Sequence, residues 1–336
     1  MPRSIICVSV GQFGNQLIPA FYSDIVTSVI IPKTPKCENS LDISSFFRVS
    51  KGSPTKLIPR CVLIDMEQKV IDKTCKFRLS YPQCSSRTSN VLSFDPRSSA
   101  YGYGGSGNSW AFGYTHHGKK IWECVEKKLQ QEISLCEEGV EGIIVFNSLA
   151  GGTGSGVGTY ICEHIKSLLR RTTLLCVTVW PFSHGEVTIQ QYNATMTLSH
   201  LLDVVDGIIA FSNDGMKQIC RKEGIPETFL EINRKITNIL GSLLSPSFHT
   251  LSSSSPFYDL VSTTFSNPLL KISHAFALPQ HHFDHRGTAP ENWSSLLSTH
   301  MRMALSGSDV DEGMRSLDKF KAYSMFSVFR GKGAKE

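Results

Sequence analysis

The most constraining feature of the sequence is a glycine-rich turn between an apolar run and an amphipathic helix pattern. The apolar run covers residues 143–149, and the turn that follows reads Ala150-Gly151-Gly152-Thr153-Gly154-Ser155-Gly156. Over residues 157–169 apolar side chains recur every three or four positions, which is the spacing of one helical face. A buried strand that enters a helix through a glycine turn is typical of parallel α/β sheets.

The same alternation of strand and helix recurs along the chain. Apolar runs at 5–10, 61–64, 174–180 and 208–211 predict further strands, and helical patterns cover 11–29, 119–133, 189–205, 216–222 and 227–244. Residues 32–59 and 80–110 are rich in Pro, Ser and Gly, which indicates long loops. We therefore predict an α/β fold, a Rossmann-like doubly wound parallel sheet, over residues 1–245. The pattern changes near four consecutive serines at 252–255, and we expect a second, incomplete α+β domain over 246–336.

Composition excludes several classes of protein. Of the 336 residues 40% are apolar and 19% charged, which is typical of a folded chain and not of a disordered one. The net charge of +5 is not concentrated in a long run, so we expect no nucleic-acid partner. There is no run of 18 apolar residues, so we expect no membrane insertion. The ten cysteines have no CxxC spacing, which argues against a zinc ribbon and favours a reducing compartment, the cytosol or the nucleus.

The glycine turn also predicts a binding site for an anion. Glycines let backbone N–H groups converge on phosphate oxygens, and Thr153 and Ser155 add hydroxyl donors. The helix that follows contributes the positive end of its dipole. The alternative is a tight turn without a ligand.

Other motifs are weaker. Gly102, Gly104 and Gly107 match the GxGxxG pattern of nicotinamide-dependent enzymes, but no apolar strand precedes them, so a loop that faces phosphate is the stronger interpretation. The stretch from Gly113 to Lys120 lacks the Ser or Thr that completes a P-loop. A cluster at 281–285 with three histidines and one aspartate could bind a metal, although its flanking Pro279 and Gly287 favour a solvated loop.

Several segments, in order along nearly the whole chain, resemble the nucleotide loops of the tubulin family. The glycine turn is similar to the signature loop of that family, residues 11–16 to its first loop, 65–67 to its second and 105–111 to its third. The likeness is greatest to the delta branch of the family, at Ala150, 105–114, Trp180-Pro181, 185–187 and 197–201. The resemblance implies a GTP-binding domain that holds GTP or GDP with Mg²⁺.

The resemblance also implies roles for individual residues. Gln12, Phe13 and Asn108 would approach the phosphates, Glu67 would hold Mg²⁺ through water, and Glu186 would reach the ribose. Asn213 and Asn233 would read the guanine edge, with Phe229 stacked on the base; read alone, each asparagine would be a cap or turn residue. The full implied set is Gly11, Gln12, Phe13, Glu67, Asn108, Ser148, Gly151, Gly152, Thr153, Gly154, Ser155, Glu186, Asn213, Phe229 and Asn233.

Two departures from the family pattern bear on activity. Ser262 stands where the family has the acidic residue that activates a neighbouring subunit's nucleotide, and a serine is a poor general base. We therefore expect weak GTPase activity at most, and assign no catalytic residue. The sequence also ends near the middle of the family's second domain, so we expect its C-terminal helical hairpin to be absent.

Taken together, the resemblance implies a cytoskeletal protein that acts in centriole, basal body and cilium assembly and in microtubule organisation. Its expected partners are other tubulins, through head-to-tail contacts, and centriolar or ciliary proteins. The expected locations are the cytoplasm, the cytoskeleton, the centrosome, the ciliary basal body and the nucleus. Two alternatives stay open: a polymerising microtubule GTPase subunit, and a truncated product without function.

Overall fold

The structure is a computed structural model that describes residues 3–30, 43–50, 53–82, 88–185, 187–244, 256–280, 292–306, 310 and 323–329. Its strands are β1 Ser4–Val10, β2 Phe47–Ser50, β3 Ser53–Pro59, β4 Cys61–Asp65, β5 Arg78–Pro82, β6 Thr88–Ser93, β7 Ser99–Tyr101, β8 Val140–Ser148, β9 Thr173–Trp180, β10 Gly207–Ser212 and β11 Ile272–His274. Its α-helices are α1 Gly11–Ile30, α2 Gln68–Lys76, α3 Trp110–Phe112, α4 Lys119–Ser134, α5 Gly158–Leu168, α6 Gln190–Val204, α7 Asn213–Lys222, α8 Phe229–Leu244, α9 Pro256–Thr264 and α10 Trp293–Ser306.

Seven strands form the main sheet, in the order β11-β10-β9-β8-β1-β4-β7, and every neighbouring pair is parallel. β1 lies near the centre, where Cys7 is paired with Cys61 on one side and with Ile144 on the other. Every residue of β1 is buried, because both faces of the sheet are covered. The predicted α/β, doubly wound parallel sheet is therefore confirmed. The strands β1, β4, β8, β9 and β10 lie where the apolar runs predicted them, whereas β7 lies in the predicted loop region 80–110 and β11 was not predicted.

A hydrophobic cluster covers each face of the sheet. On one face α1 and α8 pack together, and Phe21, Phe146 and Ile236 belong to the same cluster. On the other face α4, α5 and α6 supply Val125, Ile161 and Leu201. With both faces covered by helices, the parts of the sheet open to a ligand are the loops at the strand ends.

A second sheet was not predicted. β2, β3, β6 and β5 form a four-stranded sheet in that order, within the regions 32–59 and 80–110 that we expected to be loops, except that β5 begins at Arg78. Its strands are short and rich in Ser and Pro, so their sequences lack the apolar alternation of a typical strand. Arg48 links the sheet to the rest of the domain through Asp95 at 3.0 Å and Glu132 at 3.1 Å.

The region past residue 245 is smaller and partly helical. It contains α9, α10 and β11, and β11 joins the main sheet beside β10. The domain boundary at 245/246 stays a prediction. The serines at 252–255 and the histidine cluster at 281–285 lie outside the described residues. None of the helices in the described ranges combines the length and the apolar composition that crossing a bilayer requires.

Candidate functional site

Four loops meet at the carboxyl edge of the main sheet. They follow β1, β4, β7 and β8, which are neighbours in the sheet, so parallel pairing brings their ends to one edge. Gly11, at the start of α1, has a left-handed φ of 74°, and a Cβ added to it would lie 2.8 Å from the Gly154 nitrogen. A Cβ added to Gly105 would lie 3.9 Å from Glu67 Oε1. The loop segments identified from sequence are therefore adjacent in space.

The loop after β8 is tightly packed on one side and open on the other. A Cβ on Gly152 would lie 2.7 Å from Ser106, and a Cβ on Gly154 would lie 2.6 Å from Ser148 Oγ. A Cβ on Gly151, in contrast, would meet only Asn108 Oδ1, at 4.0 Å. The loop is thus a shallow cradle, with Gly151 at its accessible surface and glycines packed against neighbouring loops behind it.

Polar side chains form hydrogen bonds with the main chain at the rear of this cradle. The Ser155 side chain is fully buried, and its hydroxyl donates to the Gly151 main-chain oxygen. Asn147 Nδ2 donates to the Gly154 oxygen at 3.2 Å. Ser155 therefore holds the loop in place, and Thr153, which is half-buried, is the hydroxyl of this loop that remains near its open side.

A buried asparagine connects two of the loops. Asn193, on α6, donates through Nδ2 to the main-chain oxygens of Asn108 at 2.7 Å and Ala150 at 2.6 Å. Its Oδ1 accepts from the Trp110 N–H at 3.0 Å. Sequence analysis assigned no role to this residue. The available signal was a polar residue on the inward face of a predicted helix.

Two carboxylates follow β4. Asp65 is buried; its Oδ1 accepts from the Glu67 N–H at 3.2 Å, and within the described ranges its Oδ2 has no hydrogen-bond partner. Burial raises the pKa of Asp65 to about 6. Glu67 is exposed, with its carboxylate 2.8 Å from Lys69 Nζ. An orphaned buried carboxylate oxygen beside an exposed carboxylate is an arrangement suited to a hard cation and its water shell.

The residues expected to bind the base lie farther along the same edge. Asn213 opens α7 directly after β10, and Phe229 and Asn233 are one turn apart on α8. Phe229 is 57% exposed, and its ring lies 5.9 Å from that of Phe182 in an edge-to-face arrangement. Asn233 is buried. Phe182 was missed by sequence analysis, and Glu186 lies outside the described residues.

The remaining predicted residues divide between core and surface. Gln12 is exposed in the first turn of α1, whereas Phe13 is partly buried against the core cluster. Ser148 ends β8 and lies behind Gly154. Asn108 has a left-handed φ of 53° and is exposed beside Gly151. We therefore find the residues of the four loops together. The residues expected to bind the nucleotide base lie on α7 and α8.

Comparison with known proteins identifies the family. The model of the tubulin/FtsZ family GTPase domain matches residues 4–221. The chain belongs to the tubulin/FtsZ family. It is similar to the tubulin delta chain of Mus musculus, with 31% identity over 326 residues that cover 93% of this chain and 69% of the relative. The delta chains of Canis lupus familiaris and Homo sapiens are 29% identical over 323 and 333 residues, with the same coverage. The tubulin-family chain is therefore delta-tubulin-like.

Membership of the tubulin/FtsZ family implies guanine-nucleotide binding, and the loops fit that ligand. The surface at Gly151 is open where a side chain would stand, and the loop leads into the N-terminus of a helix, which is a typical binding place for phosphate. In the described part of the chain no three His, Cys, Asp or Glu side chains form a metal cluster. Mg²⁺ bound beside phosphates needs only one or two carboxylates, and Asp65 and Glu67 are the two carboxylates at the end of β4.

Proposed function

We propose that this tubulin-family chain binds GTP or GDP with Mg²⁺ in the cleft between the loops after β1, β4, β7 and β8. The observation that carries the proposal is the cradle at Gly151, packed behind and open in front. Gln12, Asn108 and Thr153 would contact phosphate oxygens. Mg²⁺, when bound, offsets phosphate charge, and Glu67 would hold it through water with Asp65 behind.

The base and the ribose would lie toward α7 and α8. The amides of Asn213 and Asn233 each offer a donor and an acceptor, as the guanine edge requires. The exposed Phe229 ring would stack on the base, and Glu186 would bind the ribose. Stacking on an aromatic ring is tolerant of the base, so specificity for guanine rests on the two asparagines.

The nucleotide released from purified protein tests the binding proposal. We expect gently purified chain, once denatured, to release close to one equivalent of GTP or GDP as resolved by chromatography. A protein without nucleotide that also fails to take up GDP with Mg²⁺ would contradict the proposal and favour a truncated product without function. Release or uptake of NAD instead would favour the nicotinamide-dependent alternative at Gly102, Gly104 and Gly107.

We further propose a role like that of delta tubulin, in centriole, basal body and cilium assembly. Support comes from the similarity to three delta chains, each over 93% of this chain. A fluorescent fusion expressed in ciliated cells should concentrate at the centrosome and the basal body. A uniform cytoplasmic or nuclear signal, with centriole number unchanged after depletion, would contradict this role.

Other tubulins are the proposed partners, through a head-to-tail contact at the nucleotide edge. Near that edge Ile189, just before α6, is exposed together with Tyr192 and Met196 on the outer face of α6, and Tyr192 is 75% exposed. Apolar and aromatic side chains at this density are typical of interface cores. Sedimentation with α- and β-tubulin should give a nucleotide-dependent complex that Tyr192→Lys weakens, with Gln191→Lys as the matched control. Equal sedimentation of the two variants would argue against this surface.

Nucleotide hydrolysis is expected to be slow. Ser262 is exposed on α9, and its hydroxyl donates to the Asp259 main-chain oxygen at 3.3 Å. A neutral hydroxyl cannot activate water as a carboxylate does. GTP turnover that rises with protein concentration would instead favour the alternative of a polymerising GTPase subunit. Ser262→Glu should raise any such turnover, and Thr263→Glu serves as the neighbouring control.

A further inference from the structure

A buried chain of hydrogen bonds connects a histidine to the phosphate cradle. Ser106 Oγ lies 3.0 Å from His117 Nδ1 and 3.2 Å from Thr153 Oγ1. Ser106 is 4% and His117 is 7% exposed, whereas Thr153 is half-buried next to the open glycines. The main chain at Gly152 packs closely on Ser106, and the Ser106 hydroxyl is the link between His117 and Thr153.

The tautomer of His117 decides in which direction the two hydrogen bonds of Ser106 run. Each hydroxyl can donate only one hydrogen, and a neutral imidazole donates from one nitrogen and accepts at the other. If Nδ1 accepts, Ser106 donates its hydrogen to Nδ1. The Thr153 hydroxyl must then donate its own hydrogen to Ser106 for that second bond to form. If Nδ1 donates, Ser106 accepts from His117 and donates to Thr153, and the Thr153 proton is free.

A phosphate ligand distinguishes these two arrangements. Phosphate oxygens are hydrogen-bond acceptors, so Thr153 can bind them only with its own proton. When His117 Nδ1 carries the hydrogen, the Thr153 proton is available for the phosphate. When Nδ1 accepts instead, Thr153 donates to Ser106 and presents only oxygen lone pairs to the phosphate.

We propose that His117 is a positioning residue of the phosphate site: it donates from Nδ1 to Ser106, which donates to Thr153 and leaves the Thr153 hydroxyl proton for a phosphate oxygen. The inference rests on the nucleotide-binding function proposed above. Within that site it makes the Thr153 hydroxyl the donor to phosphate. His117 touches no ligand itself and acts through Ser106.

The surroundings of His117 favour a neutral ring. The residue lies in the π-helical turn Gly113–Gly118, with the Phe112 ring 4.7 Å away and that of His116 5.4 Å away. Burial lowers the pKa of His117, and its neighbours His116 and Lys120 act in the same direction. The position of the proton on the ring, and not a net charge, therefore sets the direction of the chain.

Three variants of His117 separate a donor from an acceptor of similar shape. His117→Asn supplies an amide that can donate near the Nδ1 position, His117→Asp supplies only acceptors, and His117→Leu supplies neither. We expect His117→Asp, which accepts the Ser106 proton and so reverses the hydrogen bonds, to weaken GDP binding with Mg²⁺ by about tenfold, the effect of one hydrogen bond to a charged group. His117→Leu, which leaves Ser106 able to donate to Thr153 but no longer fixes that direction, should weaken GDP binding less. His117→Asn should recover most of the loss seen in His117→Asp, and Thr115→Ala, at an exposed position of the same turn, is the control.

A double-mutant cycle and a spectroscopic measurement complete the test. If the linked hydrogen bonds act as a unit, the losses of GDP affinity in Thr153→Val and His117→Leu will not add in the double variant. The ¹⁵N shifts of labelled imidazole, assigned through His117→Asn, should show hydrogen on Nδ1 in the GDP-bound protein. Thermal unfolding without nucleotide reports whether each variant folds.

The outcomes separate this inference from the function on which it rests. If the wild-type protein binds GDP while His117→Asp binds it as tightly as His117→Asn, or if Nδ1 carries no hydrogen in the complex, the inference is overturned and nucleotide binding stands. If the wild-type protein binds no guanine nucleotide, both fail.

Discussion

The side-chain amide of Asn193 lies 2.7 Å from the main-chain oxygen of Asn108, and this bond joins the loop after β7 to helix α6. The same nitrogen also reaches Ala150, so one buried side chain fixes the spacing of two phosphate loops. Site geometry here depends on a residue that would not itself contact a ligand. The consequences can be measured.

Replacement of Asn193 should weaken both nucleotide binding and the fold. Asn193→Ala removes two donors and one acceptor at a buried position, at a cost of about 1–3 kcal/mol in stability. We expect GDP affinity to fall by about tenfold or more, because the two loops lose their common tether. Fluorescent GDP titration and thermal unfolding measure the two effects. Thr195→Ala, which changes an exposed hydroxyl on the same helix, should alter neither.

Two adjacent glycines should respond differently to the same substitution. Gly152→Ala introduces a Cβ 2.7 Å from Ser106, so we expect a loss of stability of about 1–3 kcal/mol. Gly151→Ala introduces a Cβ with no protein atom nearer than 4.0 Å, so the melting temperature should be nearly unchanged while GDP binding falls. Equal GDP affinity in Gly151→Ala and wild type would remove the main support for the cradle.

The carboxylate of Glu67 should control the response to Mg²⁺. Glu67→Gln keeps the shape of the side chain and removes its charge, so Mg²⁺ should slow GDP release less in the variant than in the wild type. Lys69→Ala removes the exposed partner of Glu67 and should leave both the Mg²⁺ response and the stability nearly intact. GDP release is followed after a chase, with Mg²⁺ or with a chelator. The same Mg²⁺ effect in Glu67→Gln and wild type would exclude Glu67 as a ligand.

Asp95 should make stability depend on pH in the acidic range. Burial opposes its ionisation, but hydrogen bonds from Arg97 and Arg48 lower the pKa of Asp95 from 3.8 to about 2. A pKa that is lower in the folded state gives stability that is present above pH ~4 and lost as the pH falls toward 2. We expect Asp95→Asn to cost about 1 kcal/mol near pH 7 after allowance for solvent screening.

Denaturant titrations of Asp95→Asn and wild type at pH 7, 4 and 2.5 test this dependence. The two unfolding free energies should converge as the pH falls. Asp72→Asn, at an exposed site on α2, is the control. A constant difference between Asp95→Asn and wild type across this range would contradict the assignment.

What the sequence could predict depended on how local the signal was. The run at 143–149, its glycine turn and α5 were recoverable because each pattern is contained within about a dozen residues. β2 and β6 were not, because their stability comes from pairing with strands whose short sequences look like loops. Asn193 contacts Asn108 and Ala150, which lie 85 and 43 positions earlier in the sequence, and no local pattern reports such contacts. His117 and Ser106 were visible only as a histidine pair and a glycine-rich loop.

The packing of α1 on α8 has a consequence for synthesis of the chain on the ribosome. Thr237 Oγ1 donates to Asp24 Oδ2 at 2.5 Å, across 213 positions of sequence. Phe21 also packs on Phe46 and Phe146, which are translated earlier, but the part of the α1 surface that faces α8 stays uncovered until α8 has been translated. We expect molecular chaperones to bind that part of α1 in the interval, and translation of α8 to end its exposure.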